Sequence, residues 1–396
     1  MLFSGDAPMK KIPCLFRVLT FSLLFPLCRL ALASPAGGDT QTVLIGYAAP
    51  FKWLLPMHAL HAARQAVTDA NMKNIHVGGR KLEFQLIAKD DDADPRVARF
   101  IAKSFVDEGV TAVVGHWNTD TTLAAAPVYA ETGIVQITTS ATAGQIPQQG
   151  YPGCFQMMGS DGASALAVAD YVVKVMQARR IALIDDRTLF GKNLTQEYKE
   201  KLQTLNGNVV LVESVSSKTS DFNATLKKIK SLRADVILFA GSLQHSGDMA
   251  LAMQRLQVPG KLLLPGGATS KSFMDLAGSN LPHVLTIEPG SPMERSAIWK
   301  SFQASYRKLP TWDVSPYTIL AYDAVNLIIR GIQLANSTAP RKIAAVLHKI
   351  KFEGLSGKIA FDDTGARDGP LYTIYAYGDD AWTPVRTYGN QNAFHR

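Results

Sequence analysis

The sequence predicts an α/β protein of two Rossmann-like lobes, each a parallel sheet with helices on both faces, joined by a hinge that the chain crosses more than once. Three observations predict it. Short apolar runs alternate with amphipathic stretches, the pattern of strands buried on both faces and linked by helices. The alternation restarts near residue 160, which makes two sheets. A last apolar run, Leu371 to Tyr377, follows a block of helices, so the chain must return to a sheet it had left.

The elements follow in order. Lys10 and Lys11 precede an apolar run from Ile12 to Leu32, and Ala31-Leu32-Ala33 is a small-x-small cleavage site before Ser34-Pro35. Residues 1–33 therefore read as a cleavable secretory signal peptide, which implies a periplasmic mature protein. Arg17 and Arg29 interrupt the run and make it a poor membrane anchor, and bulky Leu27 disfavours lipidation at Cys28. Val43–Gly46 is a buried strand, followed by a helix from Met57 to Met72 with Leu60, Ala63, Ala66 and Val67 on one face. Leu82 to Ala88 is the next strand. Asp94-Pro95 then supplies an N-cap with proline in the first helical position. Strands over 112–115 and 134–137 flank a helix at 120–132. Beyond residue 160, helices at 161–178, 191–206, 221–232 and 244–256 alternate with strands at 180–184, 209–212, 235–241 and 262–264. A strand at 284–287 and helices at 293–307, 316–335 and 339–350 come before the final strand. The expected division is 41–159 plus 290–365 for lobe one, and 160–289 plus 366–396 for lobe two. No second uninterrupted apolar span of membrane length is read from the mature chain.

Charge and cysteine content narrow the function. The formal net charge is +8, and loss of the leader removes four basic residues and one acid, leaving +5. The remaining basic residues are scattered, which gives no reason to expect nucleic acid as a partner. Of three cysteines, Cys14 and Cys28 leave with the leader, so Cys154 has no internal disulfide partner. Cys154 has no activating neighbour in sequence and reads as a small buried hydrophobe.

Motifs for catalysis and cofactors are missing. The first strand continues Gly46-Tyr47-Ala48-Ala49-Pro50, not a Gly-x-Gly-x-x-Gly cradle. No Walker loop, His-Glu-x-x-His or Gly-x-Ser-x-Gly elbow occurs. His58 and His61 share a helix face, and Asp90-Asp91-Asp92 precede Asp94. A surface or lobe-contact role suits the histidines, and capping suits the acids, better than a metal site. No enzyme activity, cofactor or metal is expected.

Two hydroxyl-rich clusters remain, Thr119-Asp120-Thr121-Thr122 at the start of a helix and Thr138-Thr139-Ser140-Ala141-Thr142 after a strand. Both fall at the carboxyl edge of a parallel sheet, where α/β proteins bind ligands. A helix N-terminus with hydroxyls beside it holds an anion without arginine. Ordinary helix capping and a satisfied strand end explain the same residues.

The chain resembles the periplasmic leucine/isoleucine/valine-binding proteins of ABC importers over nearly all of residues 41–380. The residues that carry the resemblance are Ala62–Val67, Asp91-Asp92-Ala93-Asp94-Pro95, Val114-Gly115-His116 with its hydroxyl cluster, Ser140-Ala141-Thr142, Asp185-Asp186 with Phe190-Gly191, and Ser315-Pro316-Tyr317 to Ala321–Ala324. The resemblance implies the type I periplasmic binding fold and a non-enzymatic receptor that hands its solute to a membrane permease with its ATPase, as a monomer. It also implies site roles. Thr119 falls on a ligand-carboxylate serine, and Ala141 and Thr142 on the positions that hold carboxylate and amino groups. Phe190 stands for a tyrosine lid, and Ser242 or Leu243 falls where a second ring is lost. Trp53 or Leu55 falls where a first-loop ring covers the ligand. Ala93 and Asn118 replace a disulfide of some relatives.

The main departure from the pattern is Leu264-Pro265-Gly266-Gly267. Amino-acid binders of the family carry an acid at Gly266, which pairs with the ligand ammonium. A buried ammonium without a partner costs several kcal/mol. Either Asp120 or Asp186 supplies the charge, or the ligand lacks an amine. A carboxylate or amino-acid-like solute is expected, with a receptor or amide-sensor module as the alternative use of the fold.

Overall fold

A computed structural model of the chain describes residues 40–292, 297–306 and 313–389. The expected leader, the ends of the expected 293–307 helix and residues 390–396 lie outside the described residues.

Fifteen strands and twelve helices are described. The first sheet contains β1 (Thr40–Ala49), β2 (His76–Val77), β3 (Arg80–Asp90), β4 (Ala112–Gly115), β5 (Val135–Thr138) and β6 (Cys154–Gln156), in the order β2-β3-β1-β4-β5-β6. Only the short β2 edge pairs antiparallel. The second contains β7 (Ile181–Asp185), β8 (Val209–Ser214), β9 (Val236–Ala240), β10 (Lys261–Leu264) and β11 (Val284–Pro289), all parallel. After a separate hairpin of β12 (Phe352–Gly354) and β13 (Gly357–Ile359), β14 (Tyr372–Gly378) and β15 (Ala381–Tyr388) complete it in the order β15-β14-β11-β10-β9-β7-β8. The helices are α1 (Leu54–Asn71), α2 (Pro95–Asp107), α3 (Thr119–Thr132), α4 (Gln145–Gln148), α5 (Asp161–Asp170), α6 (Leu189–Thr204), α7 (Asn223–Ser231), α8 (Leu243–Arg255), α9 (Lys271–Ala277), α10 (Ala297–Tyr306), α11 (Pro316–Ala335) and α12 (Pro340–Leu347).

Local chemistry explains the boundaries. The Asp94 carboxylate accepts from Arg96 N at 2.7 Å, and Pro95 opens α2. Ser315 and Thr318 form a reciprocal capping box at α11, which ends on Asn336 in the left-handed region. The central strands β4, β5, β7 and β9 are buried at every position, as parallel strands covered on both faces must be.

Several features differ from expectation. β14 and β15 pair antiparallel and close one edge of an otherwise parallel sheet. The helix expected over 161–178 is α-helical only to Asp170 and continues as a π-helical turn over Tyr171–Val175. Among the described residues one helix, α11, is long and apolar enough to cross a membrane by length and composition, contrary to the sequence reading. Two thirds of its apolar window is buried, and it packs along α1 in the first core.

The chain passes between the sheets three times: after β6 near 157–160, after β11 from 290, and near 367–371, just past the pairing of Ala366 with Gln156. Ile45, Phe84, Ile137, Leu327 and Ile328 centre the first core, and Ile184, Ile237, Phe239 and Leu264 the second. Half-buried Leu243 packs against both.

Candidate ligand-binding cleft

Between the sheets, at the carboxyl ends of β5, β10 and β11, lies a small space of about 40 Å³. Its walls include Ser140 and Thr142 from the loop after β5, Asp161 from the first turn of α5, Phe190 from α6, Tyr317 from α11 and Tyr372 from β14. Of the residues expected from sequence, Thr142 and Phe190 meet here. The space holds a few waters, so an organic solute enters only when the lobes part.

The hydroxyl clusters divide by what their oxygens do. Thr122 and Thr138 both donate to His116 O, at 3.1 and 3.0 Å, and Thr121 donates to Asn118 O at 3.1 Å. Ser140 donates to Trp117 O. Thr138 and Ser140 brace the two loops against each other, and Thr121 and Thr122 fold the first loop onto the start of α3. Thr119 and Thr142 differ: both are buried, the Thr119 hydroxyl has no hydrogen-bond partner, and the Thr142 hydroxyl makes no bond of good geometry although it stands close enough to the Asp161 carboxyl to stabilise its charge. Thr119 is also not the cap of its helix. Asn118 occupies the extended N-cap position of α3 and makes no side-chain cap bond. A buried polar atom left unpaired costs about 1–3 kcal/mol, a cost that a solute oxygen contacting it offsets.

Asp161 is the residue that the sequence reading missed. It is 2 % exposed, lines the cleft, and its Oδ2 has no partner. Its backbone N–H donates to Thr142 O at 2.8 Å, which ties the first crossing to the end of the β5 loop. Burial pushes its carboxyl up to about 7; the Thr142 hydroxyl damps that rise and the Glu197 charge adds to it. In sequence, Ser160-Asp161 is an ordinary helix start, and Ser160 does cap α5 through Ala163 N.

None of the other expected residues, Thr119 included, is among those that line this space. Ala141 is buried, its N–H donates to Thr138 Oγ1 at 3.1 Å and its carbonyl accepts from Gln156 at 3.2 Å. Half-buried Trp53 is the N-cap of α1. Asp120, half-buried in the first turn of α3, accepts from Thr121 N, and burial raises its carboxyl above the usual range. Asp186 is occupied. It accepts from Thr188 N and Oγ1 and from Ser242 N, and pairs with His245 Nδ1 at 3.4 Å. Against the effect of burial, these donors hold its carboxyl below the usual range. The Ser242 hydroxyl caps α8 by accepting from His245 N.

Gly266 has φ +118°, and a Cβ there would stand 2.7 Å from the Tyr317 hydroxyl. That contact and the left-handed backbone exclude a side chain where the resembling family has an acid. Glu288 lies just behind, with Gly267 N at 2.9 Å and Thr269 N at 3.2 Å on its carboxylate and Thr286 beside it. Glu288 therefore braces the 266–269 loop from within.

The lobes touch along the cleft. A Cβ at Gly267 would meet Leu243 and Leu55 at 3.1 and 3.4 Å, so these leucines converge there from α8 and α1. Asp313, just before α11, accepts from Lys271 N and Ser272 N at the start of α9, and from the Ser272 hydroxyl at 2.8 Å. His58 of α1 stands 3.2 Å from the same carboxylate, the lobe-contact role considered for it. Asn193 donates to Gln145 at 3.1 Å between α6 and α4.

Two hinged sheets, a small interlobe space and the unpaired Thr142 and Asp161 atoms in its wall define a two-lobed solute-binding protein. Residues 51–377 match the family described as periplasmic binding protein, and the chain belongs to that family. Among its relatives, Leu/Ile/Val-binding protein homolog 1 of Brucella abortus (strain 2308) is 27 % identical over 361 residues, 89 % of this chain and 95 % of the relative. The leucine-, isoleucine-, valine-, threonine-, and alanine-binding protein of Pseudomonas aeruginosa is 27 % identical over 313 residues, 77 % of this chain and 81 % of the relative. The branched-chain amino acid transporter substrate-binding protein LivJ of Streptococcus pneumoniae, solved with isoleucine, superimposes with a TM-score of 0.80 at 21 % identity, covering 88 % of this chain and all of that one. A solute-binding protein of an ABC transporter from Rhodopseudomonas palustris BisB5, solved with 3,4-dihydroxybenzoic acid, gives 0.78 at 19 % identity, covering 88 % and 97 %.

Proposed function

We propose that the chain is the periplasmic solute receptor of an ABC importer, and that it captures a small amino-acid-like carboxylate and presents it, as a monomer, to a permease and its ATPase. Lobe one, 41–159 with 290–365, receives the solute first. Lobe two, 160–289 with 366–396, then swings over it. The leader over 1–33 directs export. The observation that carries the reading is the set of unpaired buried atoms: Thr142 Oγ1 and Asp161 Oδ2 in the wall of the cleft, and Thr119 Oγ1 at the start of α3. The two hydroxyls and the start of α3 suit a carboxylate. Asp161 supplies the acid missing at Gly266, and an ammonium group next to it would restore its ionised form. Trp53, Phe190 and the loops at Ser242 and Gly266 shape the lid, and Asp120 contributes negative charge near the α3 terminus. Contacts to both lobes favour closure.

An amine-free carboxylate is the second reading. Gly266 favours it, because protonated Asp161 would then donate a hydrogen bond instead of pairing with a cation. A thermal-shift panel of amino acids, amine-free carboxylates and amides separates the two. Stabilisation by small amino acids above the level of their deaminated analogues supports the first reading, and the reverse order supports the second. No stabilisation by any carboxylate, with amides active, would overturn both.

A further inference from the structure

A larger cavity of about 160 Å³ lies at the hinge, and Met158 and Pro289 are the residues that line both it and the cleft. We propose that this hinge cavity is a second solute site, one that takes a small carboxylate with an apolar body. Most of the wall is apolar, with Ile319, Leu320, Leu355 and Leu371 among its residues. Its size is close to that of an engineered cavity of about 150 Å³ that binds benzene, so a ring or a short aliphatic body fits.

The polar end is set by Arg367. Its Nη1 donates to Met157 O at 3.0 Å and its Nη2 to Lys358 O at 2.9 Å. Its Nε is buried and has no acceptor among the described residues. Arg367 as a whole is half-buried; burial pulls the guanidinium down to about 10, and Asp323 is the acid that opposes this. Asp323 itself is already used, accepting from Leu355 N at 2.8 Å and Ser356 N at 2.7 Å. A carboxylate oxygen at Nε would give that N–H the acceptor it lacks and offset the charge of the guanidinium.

The position gives the site a consequence. All three crossings contribute to the wall, through Met158, Gly290 and Leu371. An occupant among them changes the cost of swinging the lobes, so its binding and that of the cleft solute alter each other reciprocally.

4-Bromobenzoate is the probe. Crystals of the unmodified mature protein soaked with it are read by anomalous scattering from bromine. Density between Met158 and Arg367 is expected, and its absence there overturns the proposal. In solution, a Thr119→Val/Thr142→Val protein keeps the hinge site while losing the cleft hydroxyls. Adding Arg367→Met is expected to weaken 4-bromobenzoate binding at least tenfold by calorimetry, with folding verified by circular dichroism; unchanged affinity overturns the assignment to Arg367. 4-Bromobenzamide is expected to bind the Thr119→Val/Thr142→Val protein at least tenfold more weakly than the acid, and equal binding removes the carboxylate from the proposal. Because these readouts do not depend on the cleft solute, they fail or succeed separately from the proposed function.

Discussion

Single atoms decide what this cleft does. Thr119 and Thr142 are buried without a hydrogen bond of good geometry, whereas Thr138 joins His116 O to Ala141 N. Threonine and valine have nearly the same shape, so valine at 119 or 142 removes an unsatisfied group, and valine at 138 orphans two satisfied ones. Thr119→Val and Thr142→Val are therefore expected to keep or raise the melting temperature while weakening solute binding at least tenfold. Thr138→Val is expected to cost about 1–3 kcal/mol. Calorimetric titration beside thermal melts separates the effects, and a Thr142→Val protein that melts lower yet binds as before would contradict the assignment. Asp161 adds a pH dependence. Its folded carboxyl titrates at about 7 against 3.8 unfolded. The folded state thus holds a proton that the unfolded chain has released, and stability falls as pH rises between those values, by about 4 kcal/mol at most. Buried Glu288 and Asp323 push the same way and Asp186 and Asp313 the opposite way, so the test is a difference. Asp161→Asn is expected to flatten the decline in melting temperature of the unliganded protein from pH 4.5 to 7.5, and a parallel decline in both proteins would rule the group out.

At the scale of elements, the physics that sequence carries is periodicity and punctuation. The strands β4, β5, β7 and β9 are continuous apolar runs buried throughout, and they were legible for that reason. So was α2, because Asp94-Pro95 is a cap written into the chain. Strand β15 was not. Its side chains alternate between half-buried and exposed, and Pro384 sits within it, which is tolerated only because it is an edge strand. Strand β6 has three residues, too few for a period. At the cleft, the hydroxyl clusters were legible as groups, but which oxygens are spent on His116 and which are unpaired depends on packing. Asp161 looked like an acid at a helix start, and its cleft role comes from the strand end that folds beside it. Contacts between elements from different lobes are invisible to periodicity, and Asp313 is the clearest case. The His58, Ser272 and α9 backbone donors hold its carboxyl below the usual range against the effect of burial. Because α1 and the segment before α11 belong to one lobe and α9 to the other, this carboxylate favours closure before any solute arrives. Asp313→Ala is expected to lower apparent solute affinity about fivefold or more, since a smaller closed fraction reduces apparent affinity in proportion. Unchanged binding by titration would show that the contact forms without shifting the equilibrium.

For the whole molecule, the small interlobe space and the contacts along its rim state the same constraint: capture requires an open form, and the closed form is held partly by apolar contact between the lobes. Leu243 is the residue to test, because it packs on both cores while remaining half-buried. Truncating it should leave each sheet intact, since the buried strand residues that hold the sheets do not depend on it, and the expected loss of global stability is modest, about 1–2 kcal/mol against the 2–5 of a fully buried leucine. The conformational effect should be larger than the thermal one. With Leu55 and Gly267 no longer covered, the closed state loses apolar burial that the open state never had, and the population moves towards open. Small-angle scattering of the unliganded Leu243→Ala protein is therefore expected to give a larger radius of gyration than that of the parent chain. Saturating solute should contract both proteins to the same value, because the ligand contributes contacts to both lobes. If the variant matches the parent without solute, the leucine is ordinary core, and polar contacts such as those of Asp313 and Asn193 hold the rim.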